Sequence, residues 1–195
     1  QVKNFSWTLL WYNFTLLWYN FTMQTQYLPL GIQTFQDIIE EGYLYVDKTQ
    51  DIYTLLRQKG KYYFLSRPRR FGKSLLVSTL KALFSGQKEF FKGLWIYNQI
   101  EWREYPIIHL DFSSMSYTTP EILAQNLGKT MDYFAKKYKI RLDKKADYKD
   151  KFKELLEKLA LKEKVVILID EYDKPIKNLS LQSLFHSLSL LTSTI

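Results

Sequence analysis

Two stretches of the chain carry side chains suited to holding a phosphate group and a metal ion. The first is Ser66-Arg67-Pro68-Arg69-Arg70-Phe71-Gly72-Lys73-Ser74. In it, Gly72 lets the backbone approach a phosphate closely, Lys73 can reach the β- and γ-phosphates of a nucleotide, and the Ser74 hydroxyl can ligate magnesium at a helix N-terminus. The usual Walker A pattern places a glycine five residues before Gly72. That position holds Arg67, followed by Pro68, which has no N–H to donate. Arg67, Arg69 and Arg70 can offset the lost donor with charge-assisted bonds to phosphate. The plain alternative is a solvated basic turn. The second stretch is Asp170-Glu171, at the end of an aliphatic run. Asp170 suits a magnesium held through water, and Glu171 suits a group that orients or deprotonates the water attacking the γ-phosphate, as in a Walker B motif.

Both stretches need elements to hold them. Tyr62 to Leu65 reads as a short strand leading into the first, and Leu76, Leu80 and Leu83, with Val77 and Phe84 beside them, predict a helix after it that ends at Gly86. Val165 to Ile169 is the β-branched and aliphatic run expected of a strand buried on both faces. Pro106 introduces a further strand, Ile107 to Leu110, that ends at Asp111. In open α/β sheets the ligand lies at the carboxyl ends of strands, which adds Asp111, Ser113 and Ser114 as candidate lining residues. His109, inside that strand, reads as a core histidine with its hydrogen bonds satisfied.

The remaining elements follow from caps and spacing. A short helix is expected from Thr34 to Gly42, a brief strand over Tyr43 to Val46, and a helix from Asp47 or Thr49 to Gly60. Asp47, Lys48 and Thr49 are candidates for a place near an adenine base, with capping the preferred reading. Trp95 and Trp102 read as core aromatics. Thr119 and Pro120 start a helix that runs to about Tyr138, and Phe152, Leu155, Leu156 and Leu159 mark another that delivers the chain to Val165. This alternation predicts a parallel sheet with right-handed crossovers.

The residues resemble the AAA-ATPase-like domain of bacterial proteins that often carry a C-terminal nuclease-like domain of the PD-(D/E)XK superfamily. The resemblance rests on Leu28 to Ile32, Tyr45 to Thr49, Tyr62 to Ser74, Pro106 to Ser113 and Asp170 to Pro175, and it spans Tyr27 to Lys177. Arg-Pro-Arg-Arg-Phe-Gly-Lys-Ser is typical of that family, so the missing first glycine is a family trait. The resemblance implies an α/β, P-loop NTPase-like three-layer sandwich with a mainly parallel sheet. It also implies ATP with Mg2+ as ligands: Arg67, Arg69, Arg70, Phe71, Gly72, Lys73, Ser74 and Asp111 around the nucleotide, Ser74 and Asp170 on the metal, and Lys73 and Glu171 in catalysis. AAA-type sheets place a fourth strand, with a sensor residue, between the P-loop strand and the Walker B strand. The sequence offers no candidate for it, and the sheet is expected to be incomplete toward the C-terminus. Nucleic acid enters as a partner only through the nuclease-like domain.

With 195 residues, 46% apolar content and no cysteine, the chain fits one globular domain and excludes a disulfide scaffold; a reducing cytoplasm is the expected location. The formal net charge of +8 suits polyanionic partners, although lysines on helix faces are commonly just solvated. Residues 1–22 contain a duplicated heptad, Thr8 to Phe14 and Thr15 to Phe21, interrupted by Asn13 and Asn20 and lacking the features of a membrane span. They are expected to lie outside the domain, with Met23 as its natural start. The domain is expected over 23–177, followed by a Leu- and Ser-rich tail over 178–195. Two functions compete: a magnesium-dependent ATPase in the intact parent, or a nucleotide-binding, regulatory or remnant module without turnover.

Overall fold

The computed structural model describes residues 27–174 apart from Lys59, Lys61, Arg67, Arg69, Tyr117 and Thr118. The expectations for residues 1–22, Met23 and the tail after Lys177 lie outside the described residues, as do those for Arg67 and Arg69. The elements are α1 (Phe35–Glu40), α2 (Thr49–Arg57), α3 (Lys73–Phe84), two 3-10 turns (Lys88–Phe91 and Trp95–Asn98), β1 (Ile107–Asp111), α4 (Pro120–Lys137), α5 (Tyr148–Ala160) and β2 (Val166–Asp170). No helix among the described residues is long and apolar enough to cross a membrane.

Local chemistry sets the helix boundaries. Thr119 caps α4 by accepting from the Ile122 N–H, with Pro120 pre-set at the first position. Asp147 caps α5 by accepting from the N–H groups of Lys149 and Asp150. At their C-termini, α1, α3 and α4 all end in the same double hydrogen bond, made around a left-handed residue. In α1 that residue is Gly42, with Gly42 N–H donating to Ile39 and Tyr43 N–H to Ile38; in α3 it is Gly86, with bonds to Leu83 and Ala82. In α4 the position is held by a lysine. Lys139, at φ 56°, donates to the Lys136 carbonyl while Ile140 donates to Ala135.

Strands β1 and β2 pair in parallel, Ile107 opposite Val166 and Asp111 opposite Asp170. Ile108, Leu110 and Phe112 turn to one face, where they meet Leu123, Leu127, Met131 and Phe134 of α4 and Phe152, Leu155, Leu156 and Leu159 of α5. Helix α3 packs against both strands from the other side, so helices cover the two strands on both faces. Asp132 meets Lys151 at 2.9 Å and Gly128 faces Tyr148, so α4 and α5 run parallel to each other. The connection between them must therefore double back along α5: the Arg141 carbonyl accepts from Lys158, and Asp143 N–H donates to Glu154. The outer edge of β1 is closed by one side chain, because the Tyr138 hydroxyl accepts from the Ile107 N–H at 2.7 Å and donates to its carbonyl at 2.9 Å.

A second core joins Phe35, Ile52, Ala82, Leu83, Phe91 and Ile96 from α1, α2, α3 and the 3-10 turns. Asp47 and Thr49 tie it together. One Asp47 oxygen accepts from the Thr49 N–H and the other from the Trp95 N–H at 2.7 Å, while the Thr49 hydroxyl accepts from the Ile96 N–H. Burial pulls the Asp47 carboxyl upward, but these hydrogen bonds outweigh it and hold the group below its ordinary value.

Among the described residues the sheet consists of β1 and β2, a parallel pair flanked by helices that fits an α/β architecture. Three expectations about single elements are corrected. Residues 62–65 are extended but lie outside that sheet, with Tyr62 and Phe64 largely exposed. An apolar run alone supplies no ladder partner. Tyr43 to Val46 likewise forms no strand; the Leu44 N–H bonds to Tyr27 and the Tyr45 ring packs edge-on against Phe35. Finally, His109 is not satisfied: its Nε2 is buried with no hydrogen-bond partner. Burial, and secondarily the charge of Lys81, hold its pKa below the ordinary value, with Asp111 and Asp170 pulling the other way.

Two measurements check this arrangement. Tyr138→Phe leaves both polar groups of Ile107 without their partner and should cost about 1–3 kcal/mol in urea unfolding with an unchanged m-value; a neutral effect would mean that the edge is closed by water instead. For His109, a folded pKa below the unfolded value of about 6.5 means that the unfolded state binds more protons. Stability from this residue is thus complete above that pH and lost below it. Between about pH 6.5 and 5, wild-type stability should fall more steeply than that of His109→Leu, and parallel curves would contradict a neutral buried imidazole.

Candidate phosphate site

The loop before α3 turns on two left-handed residues, Arg70 at φ 66° and Gly72 at φ 72°. Gly72 is the residue that starts the helix, and a Cβ built on it would meet nothing within 4 Å. Backbone angle, not crowding, is what calls for glycine here, and the space above it is open to a ligand. No side chain caps α3, in contrast to α4 and α5. The first N–H groups of this 12-residue helix, with their partial positive charge, are therefore presented to whatever approaches Gly72. Lys73 and Ser74 occupy the first two helical positions. The Lys73 ammonium reaches back across the loop and donates to the Pro68 carbonyl at 3.1 Å. Phe71 and Arg70 are exposed.

At the end of β2, the chain reverses through Glu171, which adopts φ 53°. This left-handed angle in a non-glycine residue is supported by the Glu171 N–H donating to Asp170 Oδ1 at 2.9 Å. The Glu171 carboxylate lies 4.0 Å from the Lys174 ammonium. Across the ladder, Asp111 is held by Ser113, whose N–H donates to one carboxylate oxygen at 2.7 Å and whose hydroxyl donates to the other at 2.8 Å. The Ser114 hydroxyl donates to the Asp111 carbonyl. Asp111 thus spends its oxygens on shaping the turn after β1, directly beside Asp170.

Two features bring the stretches together. Helix α3 packs on β2, and the Phe64 ring stands edge-on against Tyr172 with centroids 5.2 Å apart. The loop that precedes Gly72 is thereby pinned beside the end of β2, where Asp170 and Glu171 lie. Sequence reasoning missed this aromatic contact, although the run of aromatics Tyr62-Tyr63-Phe64 just before a basic loop was its visible signal. It also missed the Pro68 carbonyl as the resting partner of Lys73 and the left-handed turn at Glu171, neither of which leaves a mark in residue type. Ser74 hydroxyl and Asp170 carboxylate are hard oxygen donors of the kind magnesium prefers. Among the described residues no group of three or more His, Cys, Asp and Glu side chains gathers.

Comparison with known proteins places the chain. The chain is 39% identical over 158 residues to an uncharacterized protein in the vnfD 5′ region of Azotobacter chroococcum mcd 1, a match covering 79% of this chain and 30% of that protein. The chain thus spans under a third of the relative's length. No solved structure matches. The family described as "Predicted AAA-ATPase" matches residues 29–192, which carries the likeness past Lys177 into the Leu- and Ser-rich stretch. With that match over most of its length, the chain belongs to the AAA-ATPase-like family.

Proposed function

We propose that the chain binds ATP with Mg2+ at the N-terminus of α3 and, in the longer protein, hydrolyses it. The observation that carries this reading is the uncapped start of α3 at a left-handed Gly72, pinned beside the acidic end of β2. The backbone N–H groups after Gly72 would cradle phosphate, and Arg70 would add charge-assisted bonds together with Arg67 and Arg69. Lys73 would leave the Pro68 carbonyl for the β- and γ-phosphates, exchanging a neutral acceptor for an anionic one. Ser74 and Asp170 would hold the magnesium, which supplies charge neutralisation on the phosphates when bound. Glu171 would orient the attacking water and take its proton, with Asp111 and Ser113 shaping the neighbouring turn. ATP over GTP rests on family membership alone.

A second reading, nucleotide binding without turnover, is favoured by one observation: residues 62–65 lie outside the sheet, so the loop is held by the Phe64–Tyr172 contact and by α3 instead of by a strand ladder.

Binding of a fluorescent ATP analogue with magnesium, followed by phosphate-release assays, separates the readings. Lys73→Ala should weaken binding at least about tenfold, the loss of one charge-assisted contact. Glu171→Gln should leave binding intact and lower turnover by about 10²–10³ if the chain hydrolyses ATP. Binding by wild type with turnover at the level of Glu171→Gln would favour the second reading. Undiminished binding by Lys73→Ala would remove the site from Gly72.

A further inference from the structure

The net charge of the chain is not spread evenly. Residues 136–153 hold nine Lys and Arg against three Asp, a net of +6 out of +8 for all 195 residues. Lys151 is buried against Asp132, but the other eight cations are exposed, and none of them forms an ion pair among the described residues. The three aspartates of the segment are also exposed, but none of them forms an ion pair with these cations: Asp147 caps α5, and Asp143 accepts from the Lys145 N–H. Because the α4–α5 connection doubles back along α5, the charges do not disperse into a loop tip. The Arg141 carbonyl accepts from Lys158 and the Asp143 N–H donates to Glu154, so the backbone that carries Arg141, Lys144 and Lys145 lies along α5.

Ordinary helix electrostatics accounts for only part of this. Lys136 and Lys137 sit in the last turn of α4, where cations complement the helix dipole. Lys149 sits in the first turn of α5, where a cation opposes it. Lys139 takes the left-handed position that this chain fills with glycine in its other two helix ends of the same design, Gly42 and Gly86. A lysine there is conformationally unfavourable relative to glycine, yet it projects a charge. The apolar residues of the segment, Tyr138, Ile140, Leu142 and Tyr148, pack against the core. The flank therefore offers cations without the exposed apolar side chains that insert into a lipid interface.

We propose that this flank of α5 and the 138–147 connection is a docking surface for the phosphate backbone of duplex nucleic acid. It stands apart from the Gly72 site: Tyr138 binds Ile107, at the end of β1 opposite to Asp111. The contact carries no base readout, so binding is independent of sequence and steep in salt.

The test uses the full chain and a labelled 20-base-pair DNA duplex, with binding read by fluorescence anisotropy. About four phosphate contacts imply a loss of affinity on the order of 100-fold between 50 and 200 mM salt. Replacing Arg141, Lys144 and Lys145 by Glu should reduce the log–log salt slope by about 2–3, whereas the same change at Lys48, Lys81 and Lys92, exposed elsewhere, should reduce it by less than 1. Lys139→Gly gives a check that misfolding cannot mimic: the melting temperature should hold or rise while the slope falls by about 1. Equal losses in the two triple variants would overturn the proposal in favour of overall charge. Absence of duplex binding, or binding of phosphatidylserine vesicles with the same triple-variant dependence and none to DNA, would also overturn it.

Discussion

The parallel pairing of β1 with β2 is the constraint from which the rest of the described structure is hung. Its two ends are closed by backbone bonds, Val166 N–H to the Pro106 carbonyl and Phe112 N–H to the Asp170 carbonyl. That register sets Asp111 opposite Asp170, and with it the point where both chains must turn. Each turn is then stabilised by the aspartate itself: Ser113 donates twice to Asp111, and the Glu171 N–H donates to Asp170. A one-residue slip would reverse every side chain of a strand, taking Ile108 and Leu110 out of the core and moving both aspartates off the sheet's end. The buried faces against α4 and α5 therefore fix the acidic edge as firmly as any polar contact within it.

Helix ends show a division of labour. Helices α4 and α5 are capped by Thr119 and Asp147. Helix α3 is left with glycine and no side-chain acceptor, next to a loop rich in arginine. Its stability comes from burying Thr79, Ala82 and Leu83 and from anchorage of Ser78 and Thr79 to Phe35 and Tyr45. Conformational strain is likewise confined to particular places, the left-handed Arg70, Lys139 and Glu171, two of which flank the phosphate site.

Much of this was legible in the sequence, and the reasons are specific. Val165 to Ile169 reads as a strand because its residues are aliphatic on both faces, and Thr119-Pro120 reads as a helix start because cap and N1 chemistry are local. Gly42 and Gly86 mark helix ends for the same reason, whereas Lys139 hides an identical turn behind a residue that gives no signal. Residues 62–65 read as a strand from their apolar run, but a strand also needs a neighbour, and pairing is a long-range property that composition does not carry. His109 was expected to be satisfied because most buried polar atoms are; its unpartnered Nε2 follows from its position on the face toward α3, where Lys81 offers charge but no acceptor. The sequence relates Gly72 to Asp170 through motif order alone, whereas the contact that draws the loop toward the end of β2, Phe64 on Tyr172, depends on two side chains separated by over a hundred residues.

The central claim is that the backbone donors following Gly72 receive a nucleotide phosphate. Amide hydrogen exchange across residues 72–75, with and without magnesium ATP, tests it most directly, because the N–H groups of the first turn of α3 are the ones a phosphate bound at Gly72 would engage. The account predicts marked slowing of exchange in this segment on adding magnesium ATP, and no slowing in Lys73→Ala. Unchanged exchange here, or protection confined to another part of the chain, would contradict it.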